Sequence, residues 1–494
     1  MDASVAPVSA ATKPLLERRS GVERGLGLAF PSLLVAYAGF GLFMVARTVL
    51  RDSAPRAAVG QSAPYGYSWV VVALFVPYAL TLVAWRVRGC PLSLPRLLAV
   101  VVMVWTPLVL ARPLQSHDVY QYVFYARMQI VHGANPYVTP PTALGGDSWR
   151  RAVPWPGQVS VYGPLWTTAV AEVVRLSIGS LRGAVLVVKA FAGLLGGITL
   201  WGLVALSRSE VGTAPRADPR PAVAIFGLNP LVAASVALGG HADIALAAAL
   251  VWAIVWQSRR RPLLASTLLG VGALVKLYGA IPLLVFLLVR WKREGFRAVI
   301  GPSVLCSVLA GVAYAPYWAG WATVRGLLHV AGSSSSSLGG VIERWAIAGL
   351  SALGVDRAAP LAATAVGSAA LLAIGITIAA GVRHASEHDA TWHTSLAALS
   401  IFLAMTPWFL PWYLVAPLAL AAALYPGDTL SGPMVAFSGS CMATVGGLGG
   451  LPMLLARYGP PAAGLALTRS ATGRRTLRAG PLRYGRPRHR LPRP

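Results

Sequence analysis

The sequence predicts an all-α protein, a polytopic bundle of transmembrane helices, and three observations carry that prediction. The 494-residue chain is 56% hydrophobic and only 12% charged, with a mean hydropathy of +0.63; a soluble globular protein carries about 25% charged residues. Charge-free apolar runs recur, among them the 21 residues from Leu26 to Ala46 and the run from Ala362 to Val382. Each is long enough to cross hydrocarbon as a helix. The three cysteines, Cys90, Cys306 and Cys441, stand alone with no CxxC or Cys/His spacing, which argues against a disulfide framework or a zinc site.

Taken in order, residues 1–25 form a polar N-terminal segment that leads into the first apolar run without a small-residue cleavage site. That run therefore reads as a retained anchor rather than a signal peptide. Apolar segments follow at 26–46, 68–85, 97–111, 163–177, 183–206, 222–239, 242–257, 262–275, 277–289, 298–320, 358–382, 394–408, 411–425, 432–448 and 449–467. Several are too short for a full crossing at about 1.5 Å per residue, and these read as half-helices or helices buried within the bundle. Glu172, Arg175, Lys189 and Arg457 place charges inside such runs. The expectation is about 12–14 membrane helices, one transmembrane domain over 26–467, and no separate soluble domain.

Lys and Arg near the segment ends set the orientation. Lys13, Arg18, Arg19 and Arg24 place the N-terminus inside, and Arg86, Arg88 and Arg96 place the second loop inside, which leaves the loop 112–162 outside. "RRR" at 259–261 and "RWKRE" at 290–294 also read as inside. The parity then conflicts across 163–206, and the run 163–177, with its two charges, is the one expected not to span fully. A second external loop, 321–357, contains "GSSSSSLGG" at 332–340. It reads as a flexible linker or a substrate lid. The net charge of +26 includes nine arginines between Arg469 and Arg493. After a membrane domain, 468–494 is best read as a basic cytoplasmic tail, disordered and touching anionic lipid, with no nucleic-acid partner.

Ionisable groups at membrane depth are costly, so each is a candidate site. "QSHDVYQYVFYARMQIVHGANPY", 115–137, is a hydrophilic stretch in a greasy chain. A helix is expected from Asp118 to Val131, lying at the membrane interface. Asp118 has an ordinary reading, a helix cap or a salt bridge to Arg127. Its neighbours His117, Tyr120, Tyr122 and His132, and the return of the loop to Tyr162, favour a site. Downstream, Asn229, His241 and Asp243 lie in "LNPLVAASVALGGHADIAL", with the last two at the turn of a short hairpin. Simple capping explains them equally well. Lys276 stands alone in an apolar run and needs an anion or a partner; a phosphate and an internal pair with Asp243 are the alternatives. "MTPWFLPWYLVAPLAL" brings Trp408, Trp412 and Tyr413 beside Pro407 and Pro411. Those rings fit an interfacial belt or a sugar-stacking surface. Glu343, Arg344 and Trp345 are similarly ambiguous.

The motif 116–137 followed by "VYGPLW" at 161–166 resembles the first external loop of the GT-C superfamily of membrane glycosyltransferases. "GGHADIAL", "LVKLYGAIPLL" and "PWFLPWY", in that order, are similar to segments of bacterial polyprenol-phosphate-mannose-dependent α-(1→6)-mannosyltransferases. The likeness covers about 110–420. Ala242 departs from it, since an asparagine is expected there. The resemblance implies a GT-C fold in the cytoplasmic membrane with its site on the external face. It also implies a polyprenyl-phosphate-hexose donor, the hexose being mannose, and a glycan or glycolipid acceptor. Asp118 matches the loop aspartate that acts as catalytic base. Binding contacts are expected from His117, Tyr120, Tyr122, Asn135, Tyr137, Tyr162, His241, Asp243, Lys276, Arg344, Trp412 and Tyr413. No cofactor is expected; a divalent metal on Asp118, His241 and Asp243 is the disfavoured alternative, because the whole chain has only 16 acids. A transporter or flippase for a lipid-linked sugar competes with this reading, although no repeated halves are visible. A scaffold acting through the basic tail is a third.

Overall fold

The computed structural model describes residues 13–50, 66–113, 116–177, 179–208, 218–328, 337–385, 389–406, 409–426, 431–443 and 455–462. Most of the serine stretch, Pro407 and Trp408, and the basic tail 468–494 lie outside the described residues, so the expectations placed on them are not addressed. Among the described residues the protein is helical throughout, with no strand.

Three helices open the chain: α1 (Lys13–Leu50), α2 (Gly66–Arg88) and α3 (Leu94–Leu110). The first external-loop candidate then supplies α4 (Asp118–His132), ended by Gly133 in the left-handed region at φ 59°. α5 (Pro164–Arg175) and α6 (Leu181–Ser207) follow. With 12 residues, α5 rises only about 18 Å, short of a bilayer core of about 30 Å. This agrees with the expectation that the run 163–177 does not span fully. α7 (Arg220–Gly227) and α8 (Pro230–Val232), the latter continued by a π-helical turn at Ala233–Leu238, are bent by 51° relative to each other. Asn229 secures the bend: its side chain caps Leu231 N and Val232 N and donates to Ser438 Oγ at 3.1 Å.

The centre of the bundle is α9 (Asp243–Ser258), packed against α10 (Pro262–Val275) and α6. α11 (Ala280–Glu294), α12 (Arg297–Tyr314) and α13 (Trp321–Leu328) continue the chain. The rest comprises α14 (Leu338–Ala352), α15 (Ala358–Arg383), α16 (Ala390–Met405), α17 (Val415–Leu424) and α18 (Ser431–Ala443). Among the described residues five helices are long and apolar enough to cross a membrane, six with the bent pair counted as one span, fewer than the roughly 12–14 expected; α3, α9, α10 and α16 are shorter apolar helices. This agrees with the expectation that many apolar runs are part-length.

Exposure separates lipid-facing helices from the core. α15 presents Leu361, Leu371, Leu372 and Ile376 outward, and α1 presents Leu28, Val35 and Leu42, as helices bathed in hydrocarbon do. α9 and α17 are instead almost wholly buried. The protein is a multi-pass membrane protein. Lipid tails are as apolar as leucine, so close packing and interhelical hydrogen bonds hold such a bundle. Tyr37 and Tyr78 donate to Leu228 O and Ile225 O at 2.8 and 2.7 Å, and Trp105 Nε1 donates to Gly227 O at 3.0 Å. All three bind the carbonyls freed where α7 ends.

α4 occupies its expected range to within a residue. Apart from the exposed Val131, its apolar side chains are largely covered by protein: Val119, Tyr122, Val123 and Ala126 pack with Trp166, Val170, Ala184 and Val188 of α5 and α6. Phe124, Tyr125 and Met128 pack against Val153 of the same loop.

Candidate active site

The site forms where four distant stretches meet. Asp118 opens α4, and its backbone N–H donates to Ser116 Oγ at 3.2 Å. Tyr162 reaches it from the far end of the loop, its hydroxyl donating to Asp118 Oδ2 at 3.3 Å. Tyr162 is placed by its neighbour. The Gly163 N–H donates to Val275 O at 2.9 Å, and a Cβ at Gly163 would meet Leu274 O at 1.9 Å. Only glycine lets the "VYG" backbone dock on the end of α10, and this docking brings Tyr162 beside Lys276.

Lys276 lies just past α10 and is buried with its Nζ 2.9 and 2.8 Å from the two oxygens of Asp243, at the start of α9. Tyr278 donates to Asp243 Oδ1 at 2.5 Å. The internal pair is therefore the partner Lys276 has. The ammonium also sits 4.1 Å from the Tyr413 ring centroid and 5.8 Å from that of Tyr162, a partial aromatic cage.

His241 completes the group. Its ring stacks on Trp412 at 4.0 Å and 14°, and its Nδ1 lies 3.8 Å from Asp118 Oδ2. That separation is too long for a hydrogen bond, and the buried Nδ1 has no hydrogen-bond partner. Tyr122 is similar: its ring meets Tyr162 edge-on at 4.6 Å, while its buried hydroxyl also lacks a partner. Buried polar atoms are nearly always satisfied, so two exceptions beside one carboxylate mark a place where a ligand belongs. Burial holds the Asp118 carboxyl above its usual range; the Lys276 charge and the Ser116 and Tyr162 hydroxyls oppose this without cancelling it. Among the described residues no three His, Cys, Asp or Glu side chains come together as metal ligands.

Of the residues singled out in the sequence, Asp118, Tyr122, Tyr162, His241, Asp243, Lys276, Trp412 and Tyr413 form this one cluster. His117 is exposed and stacks on Tyr120 at 5.9 Å, at the edge of the cluster. Asn135 and Tyr137 lie further along the loop. Asn135 donates to Tyr317 O at 2.8 Å, and the buried Tyr137 hydroxyl donates to Tyr162 O at 2.7 Å. Both tie the loop to its surroundings, and Tyr137 holds the backbone that carries Tyr162. Arg344 is half-buried on α14. Arg127, the ordinary partner suggested for Asp118, instead binds Asp147 Oδ2 at 2.6 Å, joined by His132 at 2.7 Å. Tyr278 escaped the sequence reading, although its place two residues after Lys276 was a usable signal.

The cluster thus combines a sparsely bonded carboxylate, a histidine without a hydrogen-bond partner and several aromatic rings inside a multi-pass membrane protein. Residues 24–293, more than half of the chain, match the family described as "Alpha-(1->6)-mannopyranosyltransferase, N-terminal domain". The chain belongs to that family and is a mannosyltransferase. The match covers every cluster residue except Trp412 and Tyr413. Searches of curated proteins and of solved structures returned no match.

Proposed function

We propose that the enzyme moves mannose from a polyprenyl-phosphate-mannose donor to a glycan or glycolipid acceptor at the outer face of the cytoplasmic membrane, with inversion and with Asp118 as the general base. One observation carries the reading: of the cluster's two carboxylates, Asp118 alone keeps exposed side-chain surface and is only weakly hydrogen-bonded. Its side chain is 13% exposed, against 0% for Asp243.

The chemistry follows. The acceptor hydroxyl donates its proton to Asp118 as its oxygen attacks C1 of the sugar; the C1–O bond to phosphate breaks, and polyprenyl phosphate leaves as an anion. A β-phosphate donor then gives an α-linked product. A positioned carboxylate contributes about 10²–10⁴-fold to such a step. The leaving phosphate needs positive charge rather than a proton. Arg344 is retained as a candidate for it. Lys276 contributes through its field, since Asp243 neutralises its charge at contact. Tyr122 and His241 offer unpaired polar atoms to sugar hydroxyls, and Trp412 and Tyr413 offer ring faces. No cofactor enters these steps, and the arginine excess toward the ends supports the outward placing of the loop.

The test is transfer in reconstituted vesicles with polyprenyl-phosphate-[¹⁴C]mannose and a short α-mannoside acceptor, followed by linkage analysis. Label in an α-(1→6) bond is expected. Transfer from GDP-mannose in preference to the lipid donor would overturn the donor assignment.

A further inference from the structure

Lys189 is a buried ionisable residue that the reaction scheme leaves unused. It lies within α6, is 1% exposed, and among the described residues no carboxylate pairs with it. Its Nζ donates to Leu108 O at 2.9 Å and to Ala111 O. These are carbonyls of the last turn and C-cap of α3, the negative end of that helix, where a lysine is electrostatically at home.

Two further contacts give the placement a consequence. Ala111 is followed by only six residues before Asp118, so the end of α3 and the carboxylate are closely tied along the chain. The lysine's stem also lies against the Gly240 turn. Gly240 has φ +67°, and a Cβ there would meet Lys189 Cγ at 3.1 Å and Val119 Cγ2 at 3.5 Å. Val119 follows Asp118, and Gly240 precedes His241. One side chain therefore touches the anchor of Asp118 at its tip and the anchor of His241 along its stem, and those two groups lie 3.8 Å apart.

We infer that Lys189 is a positioning residue for the transfer reaction: its contacts with the end of α3 and with the Gly240 turn set the spacing between Asp118 and His241. The inference rests on Asp118 being the base. A displacement of about 1 Å at a reacting group, caused by a change remote from the chemistry, costs about 100-fold in rate.

The experiment uses the full-length enzyme in vesicles with polyprenyl-phosphate-[¹⁴C]mannose and the α-mannoside acceptor, scored per folded molecule. Lys189→Met keeps most of the volume and removes both hydrogen bonds. We expect kcat to fall about 100-fold, with the donor KM within about threefold. Gly240→Ala wedges a methyl group into the same junction and should lower kcat at least tenfold. The double variant should be no slower than the slower single, because both changes break one spacing. A merely structural lysine would lower the yield of folded enzyme and leave kcat per folded molecule intact; that result overturns the inference. So does a loss confined to KM, or additive losses in the double variant. If Lys189→Met fails to accumulate, Gly240→Ala decides alone, and an unchanged kcat refutes the proposal. Asp118→Asn is assayed alongside: a fully active Asp118→Asn refutes the base assignment, whereas an inactive Asp118→Asn with an active Lys189→Met refutes only the positioning role.

Discussion

Asp118 and Asp243 are two carboxylates in one cluster, and their surroundings could hardly differ more. Asp243 has no exposed surface and is held by Lys276 through both oxygens and by Tyr278 at 2.5 Å. Asp118 is met only by the Tyr162 hydroxyl, at 3.3 Å, and the Ser116 hydroxyl, with an unsatisfied histidine nearby. The first has both oxygens engaged, by three hydrogen bonds, and joins α9 to the end of α10. On the proposed function, the second is buried enough to be basic and free enough to accept a proton. Sequence type does not distinguish a scaffold aspartate from a reactive one; the count of partners does.

That contrast can be broken or sharpened by experiment, beginning with the largest effect. Lys276→Met leaves the Asp243 charge buried and unpaired, a change that costs about 3–5 kcal/mol. Thermal melting in detergent should show a large loss of folded protein. Lys276→Met combined with Asp243→Asn should regain much of it; no recovery would mean that the pair does not join the two helices.

Next in size is Tyr162→Phe. It removes one of the two hydroxyls at Asp118, through a bond long for O–H···O, so kcat should fall roughly tenfold or less. The sign of the pH effect is fixed. The lost bond favoured the ionised carboxylate, so the Asp118 pKa, already raised by burial, rises further. The base is active only when ionised, and the acid limb of the kcat profile therefore moves to higher pH. A limb that stays in place would separate Tyr162 from Asp118.

The smallest effect belongs to Asp147, which has partners in Arg127, His132 and the Trp149 N–H. Burial pushes its carboxyl up, but these hydrogen bonds outweigh burial and hold it below the usual range. Like Asp243 it is fully partnered. Asp147→Ala should lower stability by about 1 kcal/mol in a melting curve and leave kcat unchanged.

Much of this was legible beforehand. The α4 limits followed from Asp118 at one end and Gly133 at the other, and the short α5 followed from the charges Glu172 and Arg175. The membership of the site was also largely readable, because polar residues in apolar runs are few. The pairing was not: a lone lysine specifies that it needs an anion, not which one, and the choice of Asp243 depends on how α9 and α10 cross. Asn135 and Tyr137 show the same limit, since both are polar loop residues whose hydrogen bonds turn inward to Tyr317 and Tyr162. Lys189 read as a flaw in a spanning helix until the end of α3 was seen against it.

The most direct test compares Asp118→Asn with Asp243→Asn in a single-turnover assay and a melting curve. Asp118→Asn should lose about 10²–10⁴-fold in rate while binding donor and melting as the wild type does. Asp243→Asn should lose its stability first. Normal single-turnover chemistry in Asp118→Asn would contradict the account at its centre.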